Sequence, residues 1–158
     1  MNTNVSRKGV TAIVTGILCI MPIYLTAVVI KYGSFTFSLG FFDLLEATDH
    51  WALLGVLGLF AVMCAIGVIA YGVLSCIPKV KMSGKSFLIP VILGAVIAVA
   101  GIAMFFLAVA WRVDFDNPLT NRSGGINVVF AMGPLFFLVF GVITVVANLC
   151  VGLMKDKQ

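Results

Sequence analysis

Residues 87–111 read FLIPVILGAVIAVAGIAMFFLAVAW and contain no charged side chain. A helix rises about 1.5 Å per residue, so about 20 apolar residues cross the roughly 30 Å hydrocarbon layer of a bilayer. Three other uncharged apolar stretches have comparable length, at residues 10–30, 51–77 and 126–154. The sequence therefore predicts four membrane-spanning helices.

The composition of the whole chain agrees with this prediction. Of the 158 residues, 62% are hydrophobic and 10% are charged, whereas soluble domains contain about 45–50% apolar and about 25% charged residues. So few charged side chains cannot cover the surface of a water-soluble fold, which excludes a soluble protein. We predict an all-α fold, in which residues 1–158 form one integral membrane domain, an antiparallel up-down four-helix bundle.

The basic residues predict the direction in which the chain crosses the membrane, because Lys and Arg near span ends are retained in the cytoplasm. The tails and the loop at 78–86 hold seven of them, Arg7, Lys8, Lys79, Lys81, Lys85, Lys155 and Lys157. The loops at 31–50 and 112–125 hold five acidic residues, Asp43, Glu46, Asp49, Asp114 and Asp116. We therefore predict that both termini are cytoplasmic, that 78–86 is an inner loop, and that the acidic loops lie outside the cell membrane.

Small residues predict where the helices approach one another. Apolar helix surfaces gain nothing by leaving lipid, so close packing in a membrane depends on small side chains and interhelical hydrogen bonds. The expected interface residues lie on the third and fourth spans and are Gly94, Ala98, Gly101, Ala108, Gly141, Asn148 and Gly152. Their spacing leaves open whether they pack within one chain or between subunits.

The polar content of the spans bears on transport. None of the four spans contains Asp, Glu, Lys, Arg or His, which argues against a proton-coupled carrier or a voltage sensor. Asn148 is the one strongly polar side chain at depth, where its amide is expected to bond across a helix interface. In the alternative interpretation, a path for solutes is lined by Thr11, Thr15, Thr144 and Asn148.

The first outer loop contains SLGFFDLLEATDH at residues 38–50, which predicts a short amphipathic helix on the membrane surface. On such a helix Asp43, Glu46 and His50 occupy positions i, i+3 and i+7 and share one face. Carboxylates and imidazole are ligands for divalent metal ions. A metal site is therefore one interpretation, and a solvated polar face is the other.

The layout resembles tetraspan families such as the claudins and the MARVEL proteins in the number of spans and in having both ends inside. The paired cysteines and the Trp-Leu-Trp-like segment of the claudin outer loop are absent from residues 31–50. No family is assigned from the sequence.

These observations predict a non-catalytic protein, without a cofactor, that is an accessory or structural subunit of a membrane complex and acts through helix packing and its outer loops. Its expected partners are the lipid bilayer and other membrane subunits or copies of itself. The basic residues are dispersed beside the membrane, which suits anionic lipid headgroups rather than nucleic acid. The alternatives are a small channel or facilitator for neutral or weakly polar solutes and a membrane enzyme with an outer-surface metal site.

Overall fold

The computed structural model describes residues 6–32, 35–46, 50–77, 80, 85–115, 126–129 and 132–154. The helices in these ranges are α1 (Arg7–Ile20), α2 (Phe41–Leu45), α3 (His50–Cys76), α4 (Leu88–Phe115) and α5 (Met132–Leu153). A 3₁₀ turn over Met21–Tyr24 continues α1. The strands are β1 (Thr26–Tyr32), β2 (Phe35–Gly40) and β3 (Ile126–Val129).

Four of the helices, α1 with its 3₁₀ turn, α3, α4 and α5, are long and apolar enough to cross a membrane. They pack in a ring in which α1 and α4 each lie between α3 and α5. Large apolar side chains such as Phe60, Phe106 and Val146 point outward and are more than half exposed, as expected for helices surrounded by lipid. The prediction of a membrane protein with four transmembrane helices that pack as a bundle is confirmed.

Three strands form an antiparallel sheet in the order β2-β1-β3, which differs from the all-α expectation. β1 pairs with β2 from Val28 opposite Leu39 to Tyr32 opposite Phe35, after an irregularity between Thr26 and Val28. β3 pairs with the other side of β1. Residues 26–30 (TAVVI) and 126–129 (INVV) are rich in β-branched residues, which pack well in sheets. Their apolar character placed them in the predicted spans, because hydropathy does not separate a short strand from a helix end.

The ends of two spans are corrected accordingly. The first span was expected as a helix over 10–30, but α1 ends at Ile20 and Pro22 lies in the 3₁₀ turn that follows. Proline has no N–H and cannot continue the α-helical ladder, so the helix ends before Pro22. The fourth span was expected from residue 126, but α5 begins at Met132.

The amphipathic helix expected over 38–50 is also much shorter than predicted. Residues up to Gly40 belong to β2, and α2 comprises only Phe41–Leu45. The carboxylate of Asp43 accepts a hydrogen bond of 2.7 Å from the backbone N–H of Gly40 and so caps the start of α2. The next helix, α3, begins at His50, close to the predicted start of the second span at residue 51.

Candidate functional site

Phe41 lies at the sheet end of the bundle, in the space between α3 and α5. Its side chain is 1% exposed, and its ring meets that of Phe137 edge to face, with centroids 5.5 Å apart. A Cβ atom on Gly58 would lie 2.5 Å from Cδ1 of Phe41, and one on Gly133 would lie 2.6 Å from Cε2. The ring therefore fits only because both helices have a glycine at the point of contact.

The remaining apolar residues of α2 close the same end of the bundle. Leu44 is fully buried, as is Leu54 of α3. A Cβ atom on Gly55 would lie 2.9 Å from the side chain of Leu45. Three of the five residues of α2 thus cover this end of the bundle. Their contacts hold β2, the strand that precedes α2, in place.

The sheet is joined to the bundle on both sides. β1 follows the 3₁₀ turn after a single residue, Leu25, and Ala27 in β1 is completely buried in the main apolar core. β1 also contacts α5, where a Cβ atom on Gly133 would lie 3.4 Å from the carbonyl oxygen of Thr26. The sheet is therefore held by α1, α2 and α5 together.

A cluster of polar side chains lies inside the bundle between α1 and α5. The amide of Asn148 donates to the hydroxyl of Thr15 at 3.2 Å and to the carbonyl of Thr144 at 2.8 Å. Cys19 Sγ and Thr144 Oγ1 lie 3.2 Å apart. Thr15, Cys19, Thr144 and Asn148 are at most 5% exposed, so the cluster is withdrawn from both lipid and water.

The hydroxyls of this cluster are also bonded to their own helices. Thr15 donates to the carbonyl of Thr11 at 2.9 Å, and Thr144 donates to the carbonyl of Phe140 at 2.8 Å. Within the described residues, every buried side-chain nitrogen or oxygen atom has a hydrogen-bond partner. A satisfied buried network holds two helices in register, and it leaves few free groups to bind a passing solute.

The structure thus brings three of the four suggested path residues together, and Thr11 contributes its backbone carbonyl. The thiol of Cys19 is the member that sequence reasoning missed, because a cysteine in an apolar span ordinarily acts as a small packing residue. The available signal was its spacing of four from Thr15, which places both side chains on one face of α1.

The small residues of α4 and α5 lie against each other within the chain. A Cβ atom on Gly94 would lie 2.9 Å from Cγ2 of Thr144, and one on Gly101 would lie 2.5 Å from the backbone nitrogen of Leu138. Gly141 faces Ala98 in the same way.

Three other suggested interface residues have different surroundings. Gly152 packs on the ring of Phe87, Ala108 is half-buried, and Asn148 contacts α1 through Thr15.

The suggested metal ligands do not share a helix face. Asp43 and Glu46 are both exposed, α2 ends before Glu46, and His50 is the first residue of α3. The side chain of His50 lies outside the described part of the chain. Among the described residues, no group of three His, Cys, Asp or Glu side chains is placed to hold a metal ion.

These features define a four-helix membrane protein that carries a three-stranded sheet at one end. Comparisons of the chain with protein-family models, with curated proteins and with solved structures find no match.

Proposed function

We propose that this protein is a non-catalytic structural or accessory subunit of a membrane complex, and that the sheet is the surface it presents to its partners. The observation that carries the proposal is the buried position of the Phe41 ring between Gly58 and Gly133. This contact fixes the sheet on a bundle whose interior is filled by side chains, an arrangement suited to holding a surface in place.

The helices are proposed to run up and down in alternation, with the sheet outside the cell membrane and both termini in the cytoplasm. Gly9 near the start of α1 lies beside Cys76 at the end of α3, which supports opposite directions for these helices. Arg7, Lys8 and Lys85 lie at or just before the starts of α1 and α4, at the ends of these helices that do not lead into the sheet, which agrees with the cytoplasmic retention of basic residues.

Purification from native membranes in a mild detergent tests the proposal. We expect the parent protein to leave the membrane with a stoichiometric protein partner or as a multimer of itself. Phe41→Ala removes the ring that anchors α2, so the sheet loses its fixed position on the bundle. Association with the partner should fall by about tenfold or more.

Phe42→Ala is the matched control, since Phe42 is its chain neighbour and its side chain is 53% exposed. This variant should associate as the parent does. A parent protein that leaves the membrane as a monomer without any partner would contradict the proposed function.

The second candidate function is a small channel or facilitator for neutral solutes, and the observation that favours it is the polar cluster of Thr15, Thr144 and Asn148. Solute flux into liposomes separates the two candidates. If the protein is a structural subunit, liposomes that contain it should be no more permeable to solutes than protein-free liposomes. Flux through the parent that Asn148→Leu abolishes, with the fold intact, would replace the first candidate by the second.

A further inference from the structure

The strand β2 lies at one edge of the sheet, because the strand order is β2-β1-β3. One side of β2 pairs with β1, and its other side pairs with no strand of the described chain. The backbone N–H and C=O groups on an open edge can form a further ladder with an added strand. Thr36 and Ser38 of β2 are exposed.

The sequence of β2 lacks the features that usually prevent strand addition. Edge strands are commonly protected by lysine, by proline or by a bulge. β2 reads FTFSLG and contains neither a charged residue nor proline. The irregularity of the hairpin lies between Thr26 and Val28 of β1, and the pairing from Val29 opposite Ser38 to Tyr32 opposite Phe35 is regular.

We propose that the open edge of β2 pairs, antiparallel, with β2 of a second copy of this chain. The inference rests on the proposed function as a structural membrane subunit and names its partner. Each of two identical antiparallel strands offers the donors and acceptors that the other requires, and two-fold symmetry is the commonest form of self-association.

Two observations favour a second copy over another partner. An uncharged strand places no like charges opposite each other when it meets its own copy. In addition, the Phe41 contact fixes the sheet on the bundle. Copies with the same orientation in one membrane therefore have their β2 edges at the same distance from the membrane plane. Confinement to one plane raises the effective concentration of the second copy at the edge.

Cross-linking of single-cysteine additions tests the pairing in the full chain, in its membrane. Thr36→Cys and Ser38→Cys are mixed, and a short thiol reagent that does not cross the membrane is added from the sheet side. Glu46→Cys is the control, because this residue is exposed and lies beyond α2, outside the strand β2. We expect at least about fivefold more cross-linked dimer for the β2 pair than for Glu46→Cys.

A charge test shows whether the edges themselves meet. Ser38→Lys places lysines of two copies close together and should reduce cross-linking through Thr36→Cys by about fivefold, and Ser38→Asp should do the same, because like charges on paired strands repel. Within the chain Ser38 lies opposite the uncharged Val29. A mixture of the Lys and Asp variants should restore cross-linking between unlike copies, which misfolded protein would not do.

The failure of this inference is distinguishable from that of the proposed function. If the β2 pair cross-links no better than Glu46→Cys, while the parent still purifies with a different protein partner, only the β2 pairing is overturned. Undiminished cross-linking in the Ser38→Lys variant also overturns it. If the parent is monomeric and without any partner, both the pairing and the proposed function are overturned.

Discussion

The side-chain amide of Asn148 donates a hydrogen bond of 3.2 Å to the hydroxyl of Thr15, a residue 133 positions earlier in the chain. This bond joins the first and last long helices and so closes the ring of four. Because the Thr15 hydroxyl is bonded at the same time to the carbonyl of Thr11, Asn148 can be replaced without leaving that hydroxyl unpaired.

Replacing Asn148 by leucine should lower the free energy of unfolding by about 0.6–2 kcal/mol, the usual contribution of a hydrogen bond between membrane helices. Equilibrium unfolding in detergent or bicelles measures the change. Val146→Leu, at a side chain 54% exposed on the same helix, should leave stability unchanged. An Asn148→Leu protein as stable as the parent would show that the bond is not a clamp between α1 and α5.

Adding one methyl group at Gly141 should destabilise the α4–α5 interface. The Cβ atom of an alanine there would lie 2.5 Å from the backbone nitrogen of Ala98, and backbone cannot move aside as a side chain does. Gly141→Ala should therefore cost about 1–3 kcal/mol of unfolding free energy, measured by the same unfolding experiment.

Gly67→Ala is the control for Gly141→Ala. Its new Cβ atom would lie 3.1 Å from Cδ1 of Leu93, the far end of a flexible side chain. Alanine also favours a helix over glycine by about 1 kcal/mol, so this variant should be neutral or slightly more stable. Equal losses at Gly67 and Gly141 would show that neither depends on the close approach of backbones.

The Phe41→Ala variant should release the sheet while the bundle stays folded. Truncation of a buried phenylalanine costs about 3–5 kcal/mol when its surroundings do not collapse, and here the loss falls on the contacts of α2 with α3 and α5. Hydrogen exchange followed by mass spectrometry should show faster exchange in β1 and β2, with α4 unchanged. Faster exchange throughout the chain would indicate that Phe41 supports the whole fold instead.

Cysteine accessibility tests the proposed direction of the chain in the membrane. Ser38→Cys should react with an impermeant thiol reagent in intact cells, and Lys85→Cys should react only after the membrane is opened. The parent protein corrects for labelling of its own Cys150, which is exposed. Labelling of Lys85→Cys in intact cells would reverse the orientation.

Sequence reasoning predicts the four long helices because each depends on local composition. In α3 and α4 a run of more than 20 uncharged apolar residues leaves few alternatives in lipid. Local composition does not predict the sheet, because β1 becomes a strand by pairing with both Phe35–Gly40 and Ile126–Val129. The second of these partners lies almost a hundred residues away.

The candidate site divides in the same way. The small residues at Gly94, Gly101 and Gly141 follow a helical spacing that is visible in the sequence. The buried position of Phe41 cannot be seen in the sequence, because it depends on Gly58 of α3 and Gly133 of α5 contacting the same ring. For the same reason the amphipathic interpretation of residues 38–50 placed Phe41 at the membrane surface.

The single residue Leu25 between the 3₁₀ turn and β1 has a mechanical consequence. A connection this short has no slack, so any tilt imposed on the sheet is transmitted directly to α1. The Thr15–Asn148 bond then transfers that tilt to α5. A lateral load on the sheet is therefore expected to act on α1 and, through this bond, on α5.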